Sequence, residues 1–211
     1  MNPEEFKKEL RQAKASAILR TSDNQAARNA MDAAVRGGFR IIEFTMTIPG
    51  ALDLIRDYSR QDGLLVGAGT VLTVQEARSA VEAGSCYLVS PVMDPEIIHE
   101  AAALGVASMP GCSTPTEMLA AHRQGAQLQK LFPAPGIGPA YVQQTLGPLP
   151  FLNIVPTSGV TLENAGDFLN AGSFAVGFVK SLFEPGDIAA GHFDVIENRA
   201  RDMLEAVAKV S

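Results

Sequence analysis

The chain has 211 residues, 46% of them hydrophobic and 19% charged, with a formal net charge of -6. That length and balance suit one soluble domain spanning residues 1–211 that buries one sizeable core, and nothing in the composition marks a second. The negative charge argues against nucleic acid or an anionic membrane surface as the main partner, so any bound anion must be held by local positive groups.

Residues 3 to 15 carry acids first and lysines later, the pattern of a leading amphipathic helix that matches its own macrodipole. The N-terminus has no apolar signal region and no run approaches a membrane span, which predicts a cytoplasmic protein. Cys86 and Cys112 fit neither a disulfide framework nor a metal-ligand spacing and read as small core residues in a reducing compartment.

After the leading helix one pattern repeats. A short apolar run ends in a polar residue or in Gly or Pro, an N-cap signal opens an Ala-rich helix that stops at Gly, and the next run begins. The runs fall at 16–20, 40–47, 64–70, 86–91, 106–111, 128–133, 151–157 and 174–180. Between them, Thr73 to Glu76 reads as a capping box for a helix closing at Gly84, Asp94 caps a helix beginning at Pro95, and Thr114-Pro115-Thr116-Glu117 combines both devices before Gly125. Strands alternating with helices imply parallel βαβ units with right-handed crossovers. Eight units in so short a chain predict a compact (β/α)8 TIM barrel with an N-terminal leading helix. No Gly-x-Gly-x-x-Gly follows the first run, so a dinucleotide-binding sheet has no support.

In such a barrel the C-terminal ends of the strands meet at one mouth, where chemistry is done. The runs end in Arg20; in Glu43 with Thr45 and Thr47; in Gly67 to Thr70; in Ser90-Pro91; in Pro110 to Ser113; in Lys130 with Phe132; in Pro156 to Gly159; and in Lys180. Lys130 stands out, because a lysine where a buried strand should carry Val or Ile costs desolvation free energy. Glu43, inside Arg-Ile-Ile-Glu-Phe-Thr-Met, is equally misplaced. Period two puts Lys130 on one face with Leu128 and Phe132, and Glu43 with Thr45 and Thr47.

Two interior charges of opposite sign suggest a pair, either a salt bridge that only holds the barrel or a catalytic couple. Buried salt bridges add little stability, and the location at the mouth favours chemistry. A lysine desolvated by Leu128, Leu131, Phe132 and Pro133, near a second cation, keeps a usable neutral amine that attacks a carbonyl to form a Schiff base. Glu43 would shuttle protons for carbinolamine dehydration and C–C cleavage. The protonated imine is itself the electron sink, so the chemistry requires no metal and no organic cofactor. His99 and His122 fall on helical stretches and His192 in a late loop or helix start, without metal-site clustering. Lys180 competes for the nucleophile's role, but it precedes a loop with Glu184-Pro185-Gly186 and has fewer desolvating neighbours.

The segments Ala17 to Arg20, Ile42 to Thr45, Gly67 to Leu72, Val89 to Pro91, Met109 to Glu117, Lys130 to Pro133 and Val155 to Val160 resemble the class I KDPG/KHG aldolases, in order and over about residues 15 to 185. Members of that family cleave 2-dehydro-3-deoxy-6-phosphogluconate to pyruvate and glyceraldehyde 3-phosphate, or 4-hydroxy-2-oxoglutarate to pyruvate and an aldehyde. The resemblance implies that Lys130 is the Schiff-base lysine and Glu43 the general acid/base. It also implies that Arg20 and Thr70 hold the pyruvyl carboxylate, that Pro91 and Phe132 wall the pyruvyl pocket, and that the protein is a homotrimer. Some members carry an arginine where this chain has Thr47; others use the arginine of the first strand, which is present here as Arg20.

The departures lie at the far end of the substrate. Family members often have Gly-Gly after the seventh strand and Gly-Ser after the eighth, whose backbone N–H groups bind a terminal phosphate. Here Thr157 is followed by Ser158-Gly159, and the later pair reads Val179-Lys180. Lys180 could supply a point charge and Ser158 a hydroxyl in place of the lost glycines, or the site could take a second carboxylate or nothing charged. Three functions stay open on the residues: a class I aldolase, a phosphosugar isomerase or epimerase using Glu43 as base without an imine, and a non-catalytic oxo-acid sensor.

Overall fold

In the computed structural model, which describes residues 1–134 and 136–210, each of the eight apolar runs overlaps a strand and helices fill the intervals. Pro135 and the last residue of the expected domain, Ser211, lie outside the described residues. The order is α1 (Pro3–Ala13), β1 (Ala15–Leu19), α2 (Asn24–Arg36), β2 (Ile41–Thr45), α3 (Ala51–Tyr58), β3 (Leu65–Gly69), α4 (Val74–Glu82), β4 (Tyr87–Ser90), α5 (Pro95–Ala103) and β5 (Ala107–Cys112). It continues with α6 (Pro115–Arg123), β6 (Gln129–Leu131), α7 (Pro139–Leu146), β7 (Ile154–Pro156), α8 (Ala165–Asn170), β8 (Val176–Phe178), α9 (Pro185–Ala190) and α10 (Phe193–Ala208).

Local chemistry sets many of these boundaries. The Thr73 hydroxyl accepts from the Glu76 N–H at 3.1 Å while the Glu76 carboxylate accepts from the Thr73 N–H at 3.2 Å, so two orphan donors of the α4 N-terminus are satisfied reciprocally. Thr114 and Glu117 repeat the device on α6, and Asp94 caps α5 with Pro95 in its first turn. Gly84 and Gly125 adopt φ values of 110° and 96°, a conformation that a side chain would strain, and there α4 and α6 turn into the next strand.

All ladders are parallel, in the order β7-β6-β5-β4-β3-β2-β1-β8. The seam between β7 and β8 is bridged at its lower end by the Phe174 N–H donating to the Ile154 carbonyl at 2.8 Å, so the sheet is a nearly closed TIM barrel. Alternation splits the core in two. Outward residues such as Leu19, Ile42, Phe44, Val66, Leu88, Leu131 and Phe178 pack under the helices. Inward residues Ile41, Tyr87, Val89, Met109, Leu128 and Val155 fill the barrel's lower half, which α1 closes with Phe6 and Leu10. The Phe6 ring stacks on Tyr87 with centroids 4.3 Å apart, so the leading helix is a plug for the barrel floor.

Several boundaries differ from expectation for visible reasons. The leading helix stops at Ala13, because Lys14 turns left-handed at φ 58° and Ala15 already belongs to β1. The seventh strand begins at Ile154, leaving Phe151 exposed. The eighth ends at Phe178, since the Val179 carbonyl accepts from the N–H groups of Leu182 and Phe183 and turns the chain there. The Glu184-Pro185-Gly186 stretch opens α9 instead of a loop, with proline at the first helical position. No helix among the described residues is long and apolar enough to cross a membrane.

Candidate active site

The C-terminal mouth opens on a cavity of about 1330 Å³. Its walls include Arg20, Thr70, Pro91, Lys130 and Phe132, together with Thr157, Ser158, Gly159 and Lys180, so nine of the ten expected site residues share one space. The tenth, Glu43, lies beneath it with 0% of its surface exposed.

Lys130 sits in the middle of the short strand β6, in register with Gly111 on β5 and Val155 on β7, and is 8% exposed. Only two of its four expected desolvating neighbours share its face: Leu128 packs inside the barrel, and the Phe132 ring centroid lies 5.3 Å from Nζ. Leu131 points to the outer core and Pro133 is exposed. Burial holds the Lys130 ammonium below its ordinary pKa; the Glu43 charge opposes that shift and the Arg20 charge adds to it.

Glu43 projects inward from the centre of β2, between Ile18 on β1 and Gly67 on β3. A Cβ on Gly69 would fall 2.0 Å from Glu43 Oε1, so the bare glycine is what admits the carboxylate. Neither carboxylate oxygen has a hydrogen-bond partner among the described residues, Lys130 included. The expected pair is therefore two neighbouring charges and not a hydrogen-bonded salt bridge. Burial raises the Glu43 pKa above the usual carboxylate value, while Lys130 and, less strongly, Arg20 pull it back. Both groups are thereby pushed toward their neutral forms, the state in which an amine is nucleophilic and a carboxylic acid can donate.

At the rim, Arg20 Nη2 donates to Thr70 Oγ1 at 3.0 Å. Thr70 takes a left-handed φ of 57°, which a β-branched residue rarely adopts, and this turn directly after β3 accompanies the contact with Arg20. Thr47 is exposed, and its hydroxyl shares a 2.8 Å hydrogen bond with buried Thr45, a further cavity residue. Thr157, 1% exposed after β7, has no hydrogen-bond partner for its hydroxyl among the described residues. Ser158 is half-buried, Gly159 turns the loop at φ 80°, and Lys180 stands exposed in the turn after β8. Lys180 thus lacks the desolvation that distinguishes Lys130. The two loops are tied by the Ser181 hydroxyl donating to the Val160 carbonyl at 2.7 Å.

Sequence reasoning missed the outer wall, where Gln25 and Asn29 of α2 face Ile188 of α9 and Phe193 across the same cavity. It also missed the supporting glycines. Gly67 and Gly69 share the inward face of β3 opposite a charged neighbour, and that spacing was the available signal. Among the described residues no three His, Cys, Asp or Glu side chains gather as metal ligands. His99 and His122 are exposed on α5 and α6.

Residues 6–199 match the family model described as KDPG and KHG aldolase. A probable 2-dehydro-3-deoxy-6-phosphogalactonate aldolase of Rhizobium meliloti is 36% identical over 173 residues, 81% of this chain and 82% of that protein. The 2-dehydro-3-deoxy-phosphogluconate aldolase of Pseudomonas aeruginosa is 33% identical over 185 residues, covering 84% and 82%. The crystal structure of 2-keto-3-deoxy-6-phospho-gluconate aldolase from Zymomonas mobilis superposes with a TM-score of 0.81 at 28% identity, over 96% of each chain.

Proposed function

Because the chain belongs to the KDPG and KHG aldolase family, and is on that ground a carbon–carbon lyase cleaving a 2-oxo-3-deoxy acid, we propose that Lys130 is its Schiff-base nucleophile and Glu43 its proton shuttle. The neutral Lys130 amine attacks the C2 carbonyl, and the carbinolamine loses water as protonated Glu43 donates to the departing hydroxyl. The Glu43 carboxylate then takes the proton of the C4 hydroxyl; the C3–C4 bond breaks, its electron pair flows into the iminium, and an aldehyde leaves. Glu43 returns the proton to C3 of the enamine, and hydrolysis releases pyruvate. Arg20 and Thr70 hold the C1 carboxylate, and Pro91 and Phe132 wall the pyruvyl group.

The observation that carries this reading is the buried Lys130 amine at the cavity floor beside an acid with no hydrogen-bonded partner among the described residues. Incubation with pyruvate and borohydride should add a stable pyruvyl mass at Lys130. An unmodified chain, or an adduct that survives Lys130→Ala, would sink it.

At the far end, Thr157, Ser158, Gly159 and Lys180 would meet the aldehyde portion. Lys180 is the only cation on that side of the cavity among the described residues, which supports a distal anion: the phosphate of 2-dehydro-3-deoxy-6-phosphogluconate or the second carboxylate of 4-hydroxy-2-oxoglutarate. Retro-aldol rates on phosphorylated and unphosphorylated acids decide between them, and Lys180→Ala should selectively lose whichever anionic substrate is preferred. We further read residues 1–211 as a single catalytic domain that works in the cytoplasm as a homotrimer. Exposed Leu72 and Val92, in the loops after β3 and β4, support a self-association surface, which light scattering on the purified protein tests.

A further inference from the structure

One buried polar group remains unused by this mechanism. Tyr87 opens β4, and the ladders place it in one row with Gly67 and Glu43, since Glu43 pairs with Gly67 and Gly67 with Tyr87. All three project into the barrel. A Cβ on Gly67 would fall 2.2 Å from the Tyr87 ring, so the ring occupies the space the glycine leaves, directly alongside the acid. The Tyr87 hydroxyl reaches across β3 to donate to the Ile42 carbonyl at 2.9 Å, the peptide unit that also carries the Glu43 nitrogen. From below, Phe6 holds the ring in a 4.3 Å stack. A phenylalanine would pack in the same space; only the hydroxyl ties β4 to the backbone of β2. Proximity is reflected in the titration behaviour too, since Glu43 helps to raise the Tyr87 pKa, second to burial.

The Glu43 carboxylate has no hydrogen bond of its own to fix its direction among the described residues. Bare Gly69 leaves the space that the carboxylate takes, while the Tyr87 ring fills the space over Gly67, the β3 residue paired with Glu43. We propose that Tyr87 is a positioning residue for Glu43, its hydroxyl fixing the Ile42–Glu43 peptide and its ring forming the support from which the carboxylate addresses the Lys130 adduct. The inference rests on the Schiff-base reading above.

The step to measure is proton transfer at C3, followed as exchange of the pyruvate methyl protons in deuterium oxide by NMR, because exchange requires both the imine and the shuttle. In Tyr87→Phe the exchange kcat should fall at least fivefold with KM for pyruvate within twofold, since Arg20 and Thr70 are untouched. In a Glu43→Gln background the same change should have no further effect on the residual exchange. Phe6→Leu, which weakens the stack and keeps the hydroxyl, should lower the melting temperature with exchange kcat within twofold. An unchanged exchange kcat in Tyr87→Phe overturns the proposal, as does an equal fold-loss in the Glu43→Gln background. Absence of exchange in the wild-type enzyme would instead overturn the Schiff-base reading.

Discussion

Gly69→Ala tests whether the acid's placement is what the mouth is built for. The added Cβ would lie 2.0 Å from Glu43 Oε1, 2.7 Å from Cδ and 3.0 Å from Cγ. To reach the 3.4 Å at which ordinary contact begins, the carboxylate must retreat by about 1.4 Å. Overpacking of this kind costs about 1–3 kcal/mol, which lowers the melting temperature of a domain this size by about 2–4 °C per kcal/mol. The catalytic loss should be larger, because a misplacement of about 1 Å at a reacting group costs on the order of 100-fold in rate. Retro-aldol kinetics should therefore show kcat down about 100-fold with KM little changed, the carboxylate contacts proposed for Arg20 and Thr70 being left intact. In a Glu43→Asp background the shorter acid leaves room, so Gly69→Ala should there cost much less stability. A kcat within twofold of wild type, or the same melting-temperature loss in both backgrounds, would refute the steric argument.

The double variant Lys130→Met/Glu43→Leu should be inactive yet more stable at pH 7, by about 1–4 kcal/mol in urea titration, because apolar side chains replace two buried ionisable groups that share no hydrogen bond; a loss of stability contradicts this. The pH dependence has a definite sign: the folded state binds the Glu43 proton above its ordinary 4.5, so stability falls as pH rises through that window, and the unfolded chain binds the Lys130 proton more tightly below 10.5, so stability climbs again on the alkaline side. Both slopes should flatten in the double variant. Trace labelling with acetic anhydride at one fixed pH should find Lys130 more reactive in Glu43→Gln and less reactive in Arg20→Ala, because the two charges push its pKa in opposite directions; shifts of equal sign would be fatal. Phe6→Ala should cost about 3–5 kcal/mol by opening the barrel floor, with activity at low temperature retained; a loss below 1 kcal/mol in urea titration would deny α1 its role as plug.

Much of the barrel was legible because its punctuation is local. Thr73, Asp94 and Thr114 cap where their side chains meet N–H groups two or three residues on, and such contacts depend on sequence neighbours alone. Boundaries failed where a longer-range feature prevailed: the Val179 carbonyl ends β8 by accepting from two residues further along, so Lys180 stands exposed in a turn at the cavity wall where period two would have kept it on the strand. Lys130 and Glu43 were readable for a similar local reason, each breaking an apolar strand. Their relation was not, because hydrogen bonding between strands β2 and β6 depends on side-chain length and barrel radius, which no spacing along the chain encodes. Thr70 was readable as a type of residue but not as a left-handed one.

The glycines carry the information that the charged residues lack. Gly67, Gly69 and Gly111 are inward positions where a Cβ would strike, respectively, the Tyr87 ring, the Glu43 carboxylate and the Pro91 backbone. In a purely structural barrel those positions would hold Val or Ile and fill the upper layer. Leaving them bare gives up buried apolar area, and admitting Glu43 there buries a carboxylate that has no hydrogen-bond partner among the described residues, two costs to stability that a stable scaffold alone would not retain. What the bare positions provide is room for the lysine of β6 and the glutamate of β2, the proposed nucleophile and proton shuttle, to lie near each other without a direct hydrogen bond among the described residues. An ion pair locked at that point would hold Lys130 protonated and Glu43 deprotonated, the wrong state for imine formation. Close but unjoined, both are shifted by burial toward their neutral forms, and the glycine rows supply the room that separation requires.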